Sequence, residues 1–280
     1  TISYSNVTGS TAITIDLKND TAIGDGTDTL TNIENVIGGA GDDLVKVSTD
    51  VELNVLDGGS SGIDTVSYEY YSSAVIRDLG ITTVQGGSDV ATNGDVLKNF
   101  ENIIGGTGND SFKGNSSNNI LNGGSAGLDT ADYSGNSALI VAHMDTAVKT
   151  VVSGTDTDTL VSIEKVIGSN YSDTFFSDLS GNNVFVGGSQ SDAAAADVLD
   201  YSTMVVTDPA KYNVYLDLSN SSATVKLNNV ITATDSFSQI EKYILTSGND
   251  TIKGNVDANI IDGKDGSDTV RYDYLNTGES

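Results

Sequence analysis

The sequence predicts an all-β chain wound as a right-handed parallel β-solenoid of short strands joined by glycine-rich turns. Three observations predict it. Val, Ile and Leu recur in short groups between clusters of Gly, Asn and Asp, which is the pattern of many short strands bounded by turns. The groups return at a long and nearly fixed period, and repeats of this kind stack because one unit cannot bury its apolar face alone. The composition is lopsided: 280 residues carry 31 Gly, 1 Pro, no Cys, no Trp, and 13 Lys plus Arg against 39 Asp plus Glu.

The balance of charge narrows the function classes. A net charge of −26 repels itself in a compact state unless cations neutralise part of it. It argues against nucleic acid, whose phosphates call for Lys and Arg. No apolar run approaches the length of a membrane span, and the absence of Cys excludes disulfides and thiolate metal sites. No secretory leader is visible at Thr1.

Two markers set the period. Tyrosine segments recur at Thr1-Ile2-Ser3-Tyr4, Thr65-Val66-Ser67-Tyr68, Thr130-Ala131-Asp132-Tyr133, Val198-Leu199-Asp200-Tyr201 and Thr269-Val270-Arg271-Tyr272, with the tyrosines 64, 65, 68 and 71 residues apart. The second marker is Ile33-Glu34-Asn35-Val36-Ile37, repeated from Phe100-Glu101, Ile163-Glu164 and Ile240-Glu241. Four modules follow, at roughly 1–64, 65–129, 130–197 and 198–268, then a terminal fragment, all read as one elongated solenoid. The Asp expected just before Thr1 is absent, so the chain reads as part of a longer protein.

Each module opens with a less regular half, such as Ala12 to Leu17 or Val214 to Leu218, whose alternation suggests strands with one buried face. Its second half is a run of three turns. In module two these are Gly105 to Asp110, Gly114 to Asn119 and Gly123 to Asp129. The best-kept unit, Gly105-Gly106-Thr107-Gly108-Asn109-Asp110-Ser111-Phe112-Lys113, is a Gly-Gly-x-Gly-x-Asp turn followed by x-apolar-x, in which the glycines permit the turn and the apolar residue faces the core. Module one gives Gly38 to Asp43, a degenerate middle turn ending at Asn54, and Gly58 to Asp64. Module three is weakest: Gly168 to Asp173 has lost two glycines, and Ser189 to Ala196 lengthens its third turn. Module four gives Ser247 to Asp250, Gly254 to Asn259 and Gly263 to Asp268. Pro209 falls in the connection between modules three and four, an edge or loop position.

With two strands per coil, turns alternate between two sides, and the first and third turns of a run stack one strand spacing apart, ~4.8 Å. Their aspartates then converge as Asp43 with Asp64, Asp110 with Asp129, Asp173 with Asp197, and Asp250 with Asp268. Two carboxylates plus glycine-rich backbone, around Gly39, Gly41, Gly106, Gly108, Gly124, Gly248 and Gly266, supply the six or more oxygens that Ca²⁺ accepts in irregular geometry; Mg²⁺ demands a tighter octahedron. The middle turns carry Asn54, Asn119, Asn183 and Asn259 instead, so that side is expected to be tied by amides. About one calcium per module is expected. Asp28, Asp95, Asp158 and Asp235 each lie 15 residues before a first-turn aspartate and are candidates to close a second site against that turn. Glu34, Glu101, Glu164 and Glu241 are candidate ligands or hydrogen-bond acceptors.

These residues resemble the RTX (repeats-in-toxin) family, on the strength of Gly105 to Lys113, Gly38 to Lys46, Ser247 to Lys253 and the lead-in Asp28-Thr29-Leu30-Thr31-Asn32-Ile33-Glu34. The resemblance implies a calcium-dependent β-roll, bacterial export in an unfolded state by a type I system, and folding outside the cell. The sparse repeats and long insertions are most similar to the segments found in S-layer proteins and large adhesins.

No catalytic constellation is legible. His143 is the single histidine, on an expected strand, and there is no nucleophile elbow or phosphate loop. Arg is nearly absent, with only Arg77 and Arg271, which weighs against a lyase that uses a basic residue beside calcium. The expectation is a non-enzymatic, extracellular structural segment, above all an S-layer lattice component that self-associates. The alternatives are an adhesin or glycan-binding segment, with Tyr68, Tyr70 and Tyr71 as an exposed contact cluster, and the calcium-folding tail of a secreted hydrolase.

Overall fold

A three-residue strand buries one side chain, so it is stable only when neighbours hydrogen-bond to it on both edges. That is how this chain is built. In the computed structural model, residues 1–49, 53–85, 94–178, 180–189 and 196–272 are described, and all their regular elements are strands. Most strands are three residues long, with the middle side chain inward. Val36, Val45, Leu56, Val66, Ile103, Phe112 and Leu121 are fully buried in this way, as are Val166, Phe175, Phe185 and Leu199. Among the described residues no helix is long and apolar enough to cross a membrane.

The chain divides into two compact units. The first comprises Thr1–Asp132 with Asp156–Ile163. In module one, Asn35–Ile37 pairs in parallel with Val55–Asp57, and Leu44–Lys46 with Thr65–Ser67, placing Val36 opposite Leu56 and Val45 opposite Val66. The chain therefore alternates between two sheets, and the first and third turns both lead from one to the other, stacked. Module two repeats the arrangement with Asn102–Ile104 on Ile120–Asn122 and Ser111–Lys113 on Thr130–Asp132. Between the modules the expected two strands per coil become three. Thr65–Ser67, Ile76–Asp78 and Val96–Lys98 follow one another in three different sheets before Asn102–Ile104 returns beside Thr65–Ser67.

The second unit comprises Tyr133–Thr155 with Glu164–Ser280. Lys165–Ile167 pairs with Val184–Val186, and Thr174–Phe176 with Val198–Asp200. Lys242–Ile244 pairs with Ile260–Asp262, and Thr251–Lys253 with Thr269–Arg271. The lengthened third turn of module three falls mostly on 190–195, outside the described residues.

The less regular halves contain strands, as alternation there suggested, but some of these pair antiparallel, a departure from the parallel roll. Thr14–Asp16, Thr21–Ile23 and Thr27–Thr29 form a meander in the first unit, and Tyr212–Asp217, Ser222–Leu227 and Val230–Ser238 form one in the second. Asp16 and Asp217 close the first hairpin of each: Asp16 Oδ1 accepts the N–H groups of Lys18 at 3.0 Å and Asn19 at 2.9 Å, and Asp217 Oδ1 those of Ser219 and Asn220. Pro209 sits in a turn, where its carbonyl accepts the Asn249 N–H at 3.1 Å. The residue two before each repeated glutamate lies in the left-handed region, at Asn32, Asn99, Ser162 and Gln239 with φ of 53, 53, 48 and 55°.

Candidate metal centre

The acidic and amide residues that the sequence presents as separate sets occupy one register position. Each lies immediately before the first paired residue of a parallel strand. Leu44, Thr65, Asn102, Ile120 and Thr159 pair in register, so Asp43, Asp64, Glu101, Asn119 and Asp158 form one column in the first unit. In the second unit Thr174, Val198, Lys242 and Ile260 align Asp173, Asp197, Glu241 and Asn259.

Backbone N–H groups link these columns from rung to rung. The Ile13 N–H donates to Asp43 Oδ1 at 2.7 Å, Asp43 N–H to Asp64 Oδ1 at 2.7 Å, and Asp64 N–H to Glu101 Oε2 at 2.8 Å. The second unit repeats the order, from Ile140 to Asp173 at 2.7 Å, Asp173 to Asp197 at 2.7 Å and Asp197 to Glu241 at 3.0 Å. Shorter runs connect Val75 to Asp110 at 2.8 Å and Asp110 to Asp129 at 2.7 Å, and Val214 to Asp250 at 2.7 Å and Asp250 to Asp268 at 2.9 Å. All four sequence pairs are thus neighbours, and Glu101 and Glu241 act as backbone acceptors.

The other oxygen of each first-turn carboxylate folds back on its own turn. Asp43, Asp110, Asp173 and Asp250 Oδ2 accept the N–H groups of Gly39, Gly106, Ser169 and Thr246. Where module three has lost a glycine, the Ser169 hydroxyl adds a bond to Asp173 Oδ1 at 2.9 Å. The glycines are needed because the coils touch. A Cβ on Gly105 would lie 2.1 Å from Asp110 Oδ2 and 2.5 Å from the Gly123 carbonyl oxygen. One on Gly106 would lie 2.0 Å from Tyr71 O, on Gly41 2.3 Å from Thr11 O, on Gly108 2.4 Å from Ser73 C, and on Gly248 2.1 Å from Tyr212 O. Gly124 and Gly266 stack on Gly106 and Gly248 in the same way and take positive φ, at 105° and 122°. Gly39 is looser, 3.3 Å from Val7 O.

Burial makes these carboxylates costly as anions. Asp43, Asp64, Asp110, Asp129, Asp173, Asp197 and Asp250 are at most 2% exposed. Asp64 is pushed up to about 7 and Asp250 to about 6, both chiefly by desolvation. Asp110 and Asp173 are raised for the same reason, although backbone N–H groups oppose the shift. Among the described residues Asp64 has Asp43, Glu101 and Asp42 as charged neighbours and no basic one, and its Oδ2 accepts no hydrogen bond from them.

The set that begins at Asp28 goes elsewhere than the first turns. Asp95 Oδ1 accepts the Asn54 N–H at 3.0 Å, Asp158 Oδ1 the Asn119 N–H at 2.9 Å, and Asp235 Oδ1 the Asn183 N–H at 2.9 Å. These aspartates therefore extend the middle-turn asparagines. For Asp95 the cause is the three-strand junction, which puts Val96–Lys98 and Ser111–Lys113 in different sheets. Asp28 itself is exposed and accepts the Tyr4 O–H at 2.8 Å. The asparagines also bond as amides: Asn119 Nδ2 donates to Glu101 O at 2.8 Å.

Several participants were not visible in the sequence. The residue preceding a key position forms its own rung, as Asp42, Asn109 and Asn249 Oδ1 accept the N–H groups of Ile63, Leu128 and Ser267. The Asn-Asp doublets carried that signal. Module tyrosines cap the Asp28 set: Tyr68 O–H donates to Asp95 Oδ2 at 3.2 Å and Tyr201 O–H to Asp235 Oδ2 at 2.7 Å. Arg77, 2% exposed, lies 3.8 Å from Asp95, whereas the Ser177 hydroxyl serves Asp235 at 2.8 Å. The expected exposed aromatic cluster is overturned: Tyr68 and Tyr71 are buried, and Tyr70 is tied to Asp16 Oδ2 at 2.7 Å. His143 ends the strand Ile140–His143 and stacks on Phe176 at 4.8 Å.

The donor set fits a hard cation in kind. It is all oxygen, acidic and buried, and in Asp64 it includes an oxygen that accepts no hydrogen bond from the described residues. Among the described residues no three acidic side chains converge as a metal-sized cluster. Any calcium here would therefore draw most of its ligands from turn carbonyls, with Asp64 and its counterparts supplying charge.

Comparison with known families finds the RTX calcium-binding nonapeptide repeat (4 copies) at residues 100–126 and 244–270. The first stretch begins at the lead-in of module two and ends inside its third turn; the second begins at the last residue of the module-four lead-in and ends just past its third turn. A search of curated proteins finds no match.

Proposed function

We propose that this chain is a calcium-loaded right-handed β-roll, a non-catalytic structural segment of a secreted bacterial surface protein, and within that class a component of an S-layer lattice. The repeats matched at 100–126 and 244–270 bind calcium as a class and are typical of secreted bacterial proteins. One observation carries the reading for this chain. Asp64 is 2% exposed and, among the described residues, has no basic partner and leaves one carboxylate oxygen without a hydrogen bond in the wall of a glycine turn. A bound calcium would supply the countercharge that the protein does not. Because ligands must be ionised and the site forms only on folding, binding free energy becomes folding free energy. A low-calcium cytosol then keeps the chain open for export, and a calcium-rich exterior folds it.

The test is circular dichroism during a calcium titration, with bound metal counted on the same sample. The expected result is a β signal that is lost in chelator and restored with about one ion per module. A full β signal in chelator with no bound metal would sink the reading.

A further inference from the structure

Strand length singles out one part of the second unit. Most strands of the chain have three residues, but Tyr212–Asp217, Ser222–Leu227 and Val230–Ser238 have six, six and nine. The two outer strands pair with the roll only at their C-terminal ends. Tyr215, Leu216 and Asp217 lie on Thr251–Lys253, and Ser236, Phe237 and Ser238 on Val184–Val186. The rest projects past both neighbouring strands as an antiparallel ribbon. At its tip, Asn228 and Asn229 both take positive φ, 53° and 63°, the two-residue turn whose twist matches a hairpin. The tip is apolar, with Val230 and Ile231 64% and 61% exposed.

Its edge and its charge decide what it fits. Leu227 and Val230 flank the turn as the hydrogen-bonded pair, so Ile231, opposite Lys226, aims its N–H and C=O away from the ribbon. Among the described residues no strand pairs with that edge at Ile231, because Val184–Val186 begins opposite Ser236. Residues 201–234 carry Asp208, Lys211, Asp217 and Lys226, a net charge of zero, so the whole −26 lies elsewhere in the chain. Asp208 is paired with Lys211 at 3.1 Å, and Asp217 closes the hairpin at the opposite end of the ribbon.

We infer that the ribbon tip is a self-association surface whose occupant is the same tip of a second copy of the chain. The two edges pair antiparallel about a two-fold axis. Ile231 lies opposite the second copy's Ile231, each exchanging N–H and C=O with the other, and Val230 lies opposite Thr232. Copies that each carry −26 repel one another over most of their surface, so contact is least opposed where the charge is zero and the surface apolar. The joint is small, which places it in the weak class, and in an array many such joints add by avidity. It deepens the lattice reading and rests on that reading for a second copy as the occupant.

The chain has no cysteine among its 280 residues, so a single introduced one reports the joint. Hydrogen-bonded antiparallel partners have Cα atoms about 5.5 Å apart, within reach of a disulfide. Ile231→Cys, oxidised in calcium and physiological salt, is expected to give a disulfide-linked dimer in roughly tenfold the yield of Ser117→Cys, an exposed site in the other unit. Sedimentation of the unmodified chain should show a concentration-dependent dimer. Ile231→Asp sets two like charges opposite each other and should weaken that dimer about tenfold, with the calcium-induced β signal unchanged. Equal disulfide yields, or a dimer that Ile231→Asp leaves unchanged, would overturn the tip joint while the lattice reading and the calcium titration stand. A chain that stays monomeric at every concentration would overturn the joint and lattice self-association together. Binding to phosphatidylcholine–phosphatidylglycerol vesicles that Ile231→Asp abolishes, with no dimer formed, would assign the tip to a lipid surface and equally overturn the pairing.

Discussion

Asp110 illustrates how one side chain in this register organises two coils. Its carboxylate accepts the Val75 N–H of the neighbouring coil and the Gly106 N–H of its own turn, and it is 1% exposed. Replacing it by alanine leaves two buried donors without acceptors, at about 1–3 kcal/mol each, so Asp110→Ala is expected to cost roughly 2–6 kcal/mol. Asn119→Ala loses bonds to Asn115 N–H and Glu101 O, but no charge. It is expected to lower the urea midpoint less and to leave the calcium count unchanged, whereas Asp110→Ala lowers both. Equal calcium loss in the two variants would remove the distinction between the carboxylate and amide rungs. Asp95 and Asp235 make a related point. The same position is served by a guanidinium from Arg77 in one unit and by the Ser177 hydroxyl in the other. Burial raises the pKa of both aspartates, against the opposing pull of these partners.

At the scale of the element, the turn is set by how closely two coils approach. Gly106 and Gly154 separate that approach from backbone conformation. A Cβ at Gly106 would meet Tyr71 O at 2.0 Å, while at Gly154 (φ +63) it would meet nothing within 4 Å. Gly106→Ala must push two hydrogen-bonded coils apart and is expected to cost more than the ~1–3 kcal/mol typical of overpacking. Gly154→Ala bears only the left-handed penalty, ~1–2 kcal/mol. Urea midpoints of the two variants check this, and similar losses would show that conformation dominates. The glycine turns and the inward x-apolar-x strands were legible because each is specified locally by residue type and spacing. The neighbours of each rung were less so. Asp95 lies 15 residues before Asp110, and a two-strand coil would put them in one column. The additional strand at the junction moves Asp95 to Asn54 instead, and nothing local encodes that pairing. The left-handed lead-in is readable at Asn32 and Asn99, since asparagine tolerates it, but not at Ser162 or Gln239.

At the scale of the whole molecule, the buried carboxylates set a pH dependence whose sign differs with and without calcium. Asp64 and Asp250 have folded values near 7 and 6 against an ordinary 3.8, and Asp95, Asp110, Asp173 and Asp235 are raised in the same direction by burial. A carboxyl raised on folding binds its proton more tightly in the folded state. Its stabilising contribution is therefore complete below about pH 4 and is lost as pH rises through about 6 to 7. The net charge of −26 at pH 7 adds self-repulsion over the same interval. In chelator the β signal is thus expected to be largest near pH 4.5 and to be lost as pH rises through neutrality toward 8. Calcium competes with those protons, so its affinity rises as they leave. Four ions would also bring −26 to −18, each adding two charges. In millimolar calcium the melting temperature should stay level or rise over that range, and sodium chloride at equal ionic strength should not reproduce the effect, because screening acts weakly on charges buried away from solvent. A β signal in chelator that grew with pH would mean that the backbone N–H columns alone hold these carboxylates ionised, and calcium would then not be needed to close the coils.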